Sequence, residues 1–362
     1  MKLDRIAVKG FKSIREMELE MRPLNVLIGA NGVGKSNFIA IFRLLNQIMQ
    51  GTLQVYVAQS GGADSFLYFG QKVTDKIRFR FNFGLNAYSC ALLPTVDDRL
   101  IFGEEKCFFQ GEGFDQPYSL SLGSGHRESL LSESVKVDLN PVAAYVLSSI
   151  QSWKVYHFHD TSDAARIKKI GAINDNQYLR PDAANLAAFL YKLQQTAPAQ
   201  YERIRDTIRL VVPFFDDFIL RPLPDNPNNI RLEWREVGSD YPFLAHHLSD
   251  GTLRFMCLAT LLLQPELPTT ILIDEPELGL HPYAITVLAS LMRSASARAQ
   301  IIVSTQSVSL VNQFEAEDLL VVEREAHETV IRRVDSQRLE EWLEAYSLGE
   351  LWEKNVIGGR PA

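Results

Sequence analysis

The sequence predicts an α/β fold organised around a phosphate-binding loop, and three observations carry that prediction. The apolar stretch at 24–28 runs into Gly29-Ala30-Asn31-Gly32-Val33-Gly34-Lys35-Ser36, after which Phe38, Ile41, Phe42, Leu45 and Ile48 recur at helical spacing until Gly51. Strand, glycine loop and helix in that order is the setting in which the pattern GxxxxGK[ST] binds phosphate. Roughly 240 residues on, Thr270-Ile271-Leu272-Ile273 ends in Asp274-Glu275. That is the pattern of a buried parallel strand, and open α/β sheets bind ligands at the carboxyl ends of such strands. From about 230 to about 334 helix and strand alternate, as a sheet with flanking helices requires.

Around this core the chain changes character in blocks. Residues 5–8 and 17–19 read as two short strands joined through Gly10-Phe11-Lys12-Ser13. From 61 to 125 glycines punctuate alternating or aromatic runs at 76–83, 88–93 and 107–110, the mark of an antiparallel β lobe. From 126 to 229 the pattern is helical, with helices expected at 142–152, 182–194 and 199–211 and one strand at 154–158. The turn-rich Pro222-Leu223-Pro224-Asp225-Asn226-Pro227 closes this inserted lobe. A strand at 230–235 opens the C-terminal lobe, 230–340. An amphipathic helix at 338–346 then leads into a tail, 341–362, that ends in the loop-like Gly358-Gly359-Arg360-Pro361. The whole, 1–362, reads as a single head in which 1–125 holds the phosphate loop and the β lobe.

Composition narrows the classes of function. With 46% hydrophobic and 22% charged residues the chain is globular rather than disordered. Its net charge of −7 gives no overall basic footprint of a dedicated nucleic-acid binder. Arg203, Arg205 and Arg209 form the one dense basic cluster before the C-terminal region, and a solvated helix face explains them. Cys90, Cys107 and Cys257 lie far apart and make neither a metal spacing nor a disulfide framework, which fits a reducing cytosol. No apolar run reaches the ~20 residues of a membrane span, and the N-terminus lacks a signal-peptide pattern. A cytoplasmic protein with no membrane partner is expected.

The residue types in the loop dictate its chemistry. Its glycines let backbone N–H groups from Gly29 to Ser36 turn toward phosphates, and the helix that follows, with Asn37 in its first turn, adds its positive dipole end. Lys35 supplies a point charge to the β- and γ-phosphates, and the Ser36 hydroxyl is a Mg²⁺ ligand. Asp274 would hold the same Mg²⁺, directly or through water, while Glu275 can orient the attacking water. Two acids at a strand end can be an ordinary polar turn; the full phosphate loop upstream argues otherwise. A third element, Leu248-Ser249-Asp250-Gly251-Thr252, precedes an apolar helix at 253–263, about 25 residues before the acids. Ser249 is a good N-cap, Gly251 permits close backbone approach, and the helix dipole attracts an anion. The chain's own loop already cradles its phosphates, so this second anion site makes sense against the nucleotide of another subunit. A plain serine cap on a buried helix is the alternative, and the order of the three elements argues against it. His157-Phe158-His159-Asp160 has a metal-like look, but strand alternation explains it and no third ligand cluster is visible.

After the acids come Glu277-Leu278-Gly279-Leu280-His281-Pro282, a helix at 284–292, and a strand at 301–304 that ends on Thr305-Gln306-Ser307. The 248–252 element resembles the ABC signature, LSGGQ in transporters, in the variant LSDGT. The set resembles the ABC-type AAA ATPases grouped with RecF, the SMC proteins and the OLD-nuclease heads, most closely their stand-alone predicted-ATPase branch. Val8-Lys9-Gly10-Phe11-Lys12-Ser13 and Tyr346-Ser347-Leu348-Gly349-Glu350-Leu351-Trp352 resemble that branch too, so the likeness runs over nearly the whole chain. It implies the ABC-head form of the P-loop NTPase fold, ATP and Mg²⁺ as cofactors, and a homodimer formed on ATP binding. It places Lys12 and Ser13 in a loop near the nucleotide, Ser249, Asp250 and Gly251 against the partner's ATP, and Gly279 and His281 in the D-loop. Gln306 takes the switch position, where a histidine is usual; glutamine can hydrogen-bond phosphate or water but cannot carry a proton, which implies slow turnover. Gln71 and Gln177 are both available as the Q-loop glutamine.

What the chain lacks removes several family roles. About 210 residues separate loop and signature, with many prolines and no sustained heptads, unlike the long coiled coils of SMC proteins. A transporter ATPase usually has a shorter insert. The roughly 55 residues after Gln306 are short for the nuclease domain of an OLD protein. Two expectations remain: a RecF-like ATPase whose dimer clamps duplex DNA in repair or recombination, and a regulatory ATPase that controls a separate effector in an anti-phage defence module. An ATP-binding scaffold that scarcely hydrolyses is a third class, opposed by Glu275 and given room by Gln306.

Overall fold

The structure, a computed structural model, describes residues 2–111, 116–137 and 139–360; Pro361 of the expected terminal loop lies outside them. The chain folds as two compact units, Met1–Val155 with Pro268–Leu272 and Glu315–Ala362, and Tyr156–Leu267 with Ile273–Phe314.

In the first unit a six-stranded antiparallel sheet runs in the order Ile14–Glu20, Arg5–Phe11, Ile77–Phe83, Asn86–Pro94, Leu100–Phe109, Tyr118–Gly123. Strict alternation drives it: along Ile77–Phe83 the residues Ile77, Phe79, Phe81 and Phe83 are buried, while Arg78 and Arg80 face out. The two N-terminal strands are longer than their apolar residues indicate, because the turn between them needs only Lys12 and Ser13, with Lys12 left-handed at φ 50°. The strand expected at 107–110 begins seven residues earlier, at Leu100, since its outward charges Glu104 and Lys106 mask the inward set. The strand Tyr118–Gly123 and the helices Leu53–Gln59 and Leu131–Val137 were not anticipated. A second, mixed element pairs Leu24–Ile28 in parallel with Leu319–Glu325, which pairs antiparallel with Glu328–Arg333. Trp153 sits among the rings of Phe42, Phe81 and Phe83 and joins the helix Lys35–Gln50 to the antiparallel sheet. The expected tail helix at 338–346 is broken. Only Glu340–Leu343 is α-helical, and Ser347 restarts the chain as Leu348–Glu353 through a capping box with Glu350.

The second unit carries the helices Leu186–Thr196 and Pro198–Val211, a small sheet of Phe215–Ile219, Glu233–Glu236 and Phe243–Leu244, and the helices Asp250–Leu263 and Pro282–Ser296 with the strand Gln300–Thr305. The helix expected from 182 starts at Leu186, because Ala183 is left-handed at φ 53° and Asp182 accepts from the Ala184 N–H. The strand expected at 230–235 is two pieces, Asn229–Ile230 and Glu233–Glu236. Nearly every residue of Asp250–Leu263 is buried, so its face pattern is that of a core helix.

Candidate functional site

One group of candidate residues lies in the first unit. The fully buried strand Leu24–Ile28 delivers the chain to Gly29, and the helix Lys35–Gln50 starts after Gly34, whose backbone is left-handed at φ 118°. A Cβ on Gly34 would stand 2.9 Å from the Thr329 Cβ and closer still to its hydroxyl, so only glycine fits there. Thr329 is 2% exposed and donates its hydroxyl to Val33 O at 2.7 Å. With that proton committed, the 2.7 Å bond between the Ser13 and Thr329 hydroxyls is donated by Ser13, which accepts from Asn37 Nδ2 at 2.6 Å. The Thr329 N–H also donates to Ser13 O at 2.7 Å. A chain of bonds thus runs from Asn37 through Ser13 and Thr329 to a carbonyl of the phosphate loop. Ser13 and Asn37 were expected near the loop; Thr329 was missed, because His327-Glu328-Thr329 carries no motif and only strand pairing brings it there.

Lys12 donates its N–H to Phe66 O at 2.8 Å and holds its ammonium 5.1 Å from the Phe66 ring centre. Burial, and then the Arg43 charge, keep its pKa below the ordinary lysine value. Lys35 is buried, its Nζ donating to Gly29 O at 2.5 Å and Ala30 O at 2.8 Å inside the curl of the loop. Asn31, Gly32 and Ser36 are exposed around it, while Ala30 and Val33 are half-buried. The loop therefore presents a buried cation bonded to neutral carbonyls beneath an exposed rim, and phosphate oxygens, being charged, make stronger partners for that cation. These residues fit a nucleotide's phosphates.

The other group lies in the second unit. Asp274 ends its strand and is half-buried, and Glu275 leaves with a left-handed φ of 41°, its N–H donating to Ser304 O at 2.8 Å. A left-handed glutamate is uncommon, and such strain collects at functional positions. Gln306 Nε2 donates to Glu275 Oε1, so the two residues expected to handle water are side by side. Behind them Glu277, buried, accepts from Thr305 Oγ1 at 2.5 Å and from the Gln306 N–H at 3.3 Å. Burial pushes its carboxyl above the ordinary glutamate value, against the lowering effect of those bonds. Glu277 was quoted in the sequence without a role; its signal was a third acid in Asp274-Glu275-Pro276-Glu277.

Ser249 caps the helix Asp250–Leu263 by accepting from the Thr252 N–H at 3.1 Å, and both Ser249 and Asp250 are exposed. Gly251 is buried, and a Cβ there would lie 2.9 Å from the Gly279 carbonyl carbon and closer to its oxygen. The close approach that this glycine permits is made by the Gly279 carbonyl of its own chain. One turn on, the buried Arg254 donates to Leu278 O and, at 3.0 Å, to Phe158 O. His281 is exposed and caps the helix Pro282–Ser296 through Nδ1, which accepts from the Tyr283 N–H at 3.3 Å. His159 sets its Nε2 2.7 Å from Asp274 O. Among the described residues no group of three His, Cys, Asp or Glu side chains is placed to hold a metal by itself. Ser36 and Asp274, the expected Mg²⁺ ligands, belong to different units. Gln71 and Gln177 are both exposed.

A strand, phosphate loop and helix, together with a serine-capped buried helix and paired acids beside a glutamine, give the fold of an ABC-type ATPase head. The chain belongs to the family described as "AAA domain, putative AbiEii toxin, Type IV TA system", whose model matches residues 24–312. It is 24% identical to the Old nuclease of Escherichia phage P2 over 389 residues, covering 96% of this chain and 63% of that protein. The chain thus spans somewhat less than two thirds of that relative's length. Its fold is similar to the Smc head bound to the C-winged helix domain of ScpA, with a TM-score of 0.57 at 16% identity, covering 95% of this chain and all of that one. It is also similar to the Smc head with an extended coiled coil, bound to the C-terminal domain of ScpA, from Pyrococcus furiosus, with a TM-score of 0.52 at 15% identity, covering 94% and 98%. Among the described residues no helix is long and apolar enough to cross a membrane.

Proposed function

We propose that the chain binds ATP with Mg²⁺ and hydrolyses it at a composite site made by two copies, with closure of the heads acting as a switch. The observation that carries this reading is the Glu275–Gln306 pair, a strained carboxylate held by an amide at the end of the acid-bearing strand. Here Lys35 and the N–H groups of 29–36 would take the phosphates, and Ser36 and Asp274 would hold Mg²⁺, which would supply neutralisation of phosphate charge. Glu275 orients the attacking water and Gln306 fixes Glu275. The exposed Ser249 and Asp250 meet the partner's γ-phosphate, and Gly279 and His281 lie at the same seam.

Control of a separate effector in a defence module is the process we favour for this switch. Its support is the state of the basic cluster: Arg205 pairs with Asp206, and Arg209 with Asp206 and Asp216, so two of its three arginines are neutralised. The toxin–antitoxin wording of the family and the nuclease name of the phage relative point the same way. ATP turnover stimulated by duplex DNA would instead select RecF-like clamping in repair or recombination.

The composite site is tested by mixing two inactive proteins, Lys35→Ala and Ser249→Arg. In a mixed dimer one site carries both lesions and the other has intact Lys35 facing intact Ser249, so activity should return to a fraction of wild type. Full activity of Ser249→Arg alone would reduce the signature to a capped core helix and end the dimer mechanism.

A further inference from the structure

On the antiparallel sheet of the first unit a pocket of about 300 Å³ opens between the N-terminal strand and the loop before Ile77. Four cations line it, Lys9, Arg15, Lys76 and Arg78, against the single acid Asp75. Lys76 pairs with Asp75 at 3.5 Å and Lys9 with Glu16 at 3.1 Å, but Arg15 and Arg78 have no ion-pair partner among the described residues. In a chain of net charge −7 such a concentration is a local anion trap. Its wall is ordered: the Tyr68 N–H donates to Gly10 O at 3.1 Å, and Thr74 Oγ1 to Tyr68 O at 2.5 Å. Tyr68 lines the pocket and meets the exposed Phe69 edge-on at 4.7 Å.

We infer that this pocket binds a small phosphorylated ligand of the nucleotide class, its phosphates on Arg15 and Arg78 and its base against Tyr68. An extended nucleic-acid strand is disfavoured by what surrounds the pocket. Along the same sheet Arg5 is paired with Glu18 and Glu20, and Lys106 with Glu104, so beyond Arg80, which lies over the Phe108 ring, no long unneutralised stripe continues from it. The site has a route to the phosphate loop, since Lys9 and Gly10 lead directly into Lys12 and Ser13, and Ser13 bonds Asn37 and Thr329. A ligand held here can therefore stiffen or shift that loop.

The test uses the full chain with Lys35→Ala, which disables the phosphate loop, and titrates ADP, inorganic tripolyphosphate and a short single-stranded oligonucleotide calorimetrically. ADP and tripolyphosphate should each retain one site per chain, weakening as ionic strength rises from about 0.01 M to about 0.15 M. Adding Arg15→Glu and Arg78→Glu, both at exposed positions, should weaken both ligands at least about tenfold. Tyr68→Ala should weaken ADP and leave tripolyphosphate unchanged. Absence of residual binding, or binding indifferent to the charge reversals, overturns the inference. So does an oligonucleotide that binds through the same arginines while ADP does not. Because Lys35 is already removed, none of these outcomes bears on the composite ATP site.

Discussion

Gly251→Ala isolates the contact between the helix Asp250–Leu263 and the segment at Gly279. The position carries no left-handed backbone, so its need for glycine is one of space alone. The new Cβ would sit 2.9 Å from the Gly279 carbonyl carbon, whereas carbon atoms pack at about 3.5–4.0 Å, so one side must retreat by about 1 Å. Neither side is free to do so, because Arg254, one turn along the helix, is bonded to Leu278 O beside Gly279. Overpacking of this kind costs about 1–3 kcal/mol, partly offset by the helix propensity that alanine gains over glycine, about 1 kcal/mol at most. We therefore expect a net loss of about 1–2 kcal/mol in urea unfolding. The effect on turnover should be larger, since a displacement of about 1 Å in catalytic machinery can cost about 10². Gly238→Ala is the control: a Cβ there meets nothing within 4 Å and bears only left-handed strain at φ 77°. Steady-state ATPase assays on both proteins decide the matter. Unchanged turnover and stability in Gly251→Ala would show that the loop yields freely and that the contact positions nothing.

Gln306→Ala should slow hydrolysis by about 10² with little change in ATP affinity, and Gln306→His should match or exceed wild type; a silent alanine would remove Gln306 from the switch. Glu277→Gln should flatten the pH dependence of stability. The folded carboxyl titrates above its unfolded value, so its stabilising contribution is full below the unfolded pKa and is lost as pH rises through the folded one. Identical slopes for wild type and variant in denaturation titrations from acid to neutral pH would refute this. Cys107, its thiol pushed up to about 12 by burial, and the fully buried Cys90 and Cys257 should resist alkylation at neutral pH until the chain unfolds, as mass spectrometry of native and denatured samples would reveal.

How far the site could be read from the sequence depended on whether its residues act locally. The phosphate loop was legible because strand, turn and helix start are contiguous, and each glycine constrains its immediate neighbours. The pairing of Glu275 with Gln306 was legible only as family resemblance, since 31 positions separate them and adjacent strand ends bring them together. Thr329 and Arg254 were not legible at all. Thr329 acts from a strand 316 positions away from Ser13, and Arg254 looks like one polar residue on an apolar helix until its carbonyl partners are seen. Gly251 was read correctly as a glycine that allows close approach, but the sequence cannot say what approaches. The strands were shortened wherever outward charges interrupted the apolar rhythm, as at Glu104 and Lys106.

On the proposed mechanism, the bonds in the second unit would let the Ser249 end of its helix, engaged by one nucleotide, govern hydrolysis of another. Ser249 and Asp250 are exposed at the helix start, and Thr252 is half-buried beside them. From Leu253 on the helix is buried, and Gly251 and Arg254 join it to Gly279 and Leu278, the segment that leaves Glu275. Arg254 also bonds Phe158 O, and the adjacent His159 touches Asp274 O, so both acids are tied to the helix from separate sides. Glu277 adds a third tie, through Thr305 and the Gln306 N–H, to the amide that holds Glu275. On the proposed mechanism, engagement of the partner's phosphate at Ser249 cannot move the helix without moving the catalytic carboxylate of its own chain. The two composite sites of a dimer would then close together. A mixed dimer with one intact site should accordingly turn over at less than half the wild-type rate, because the crippled site withholds half of the closure that the working one requires.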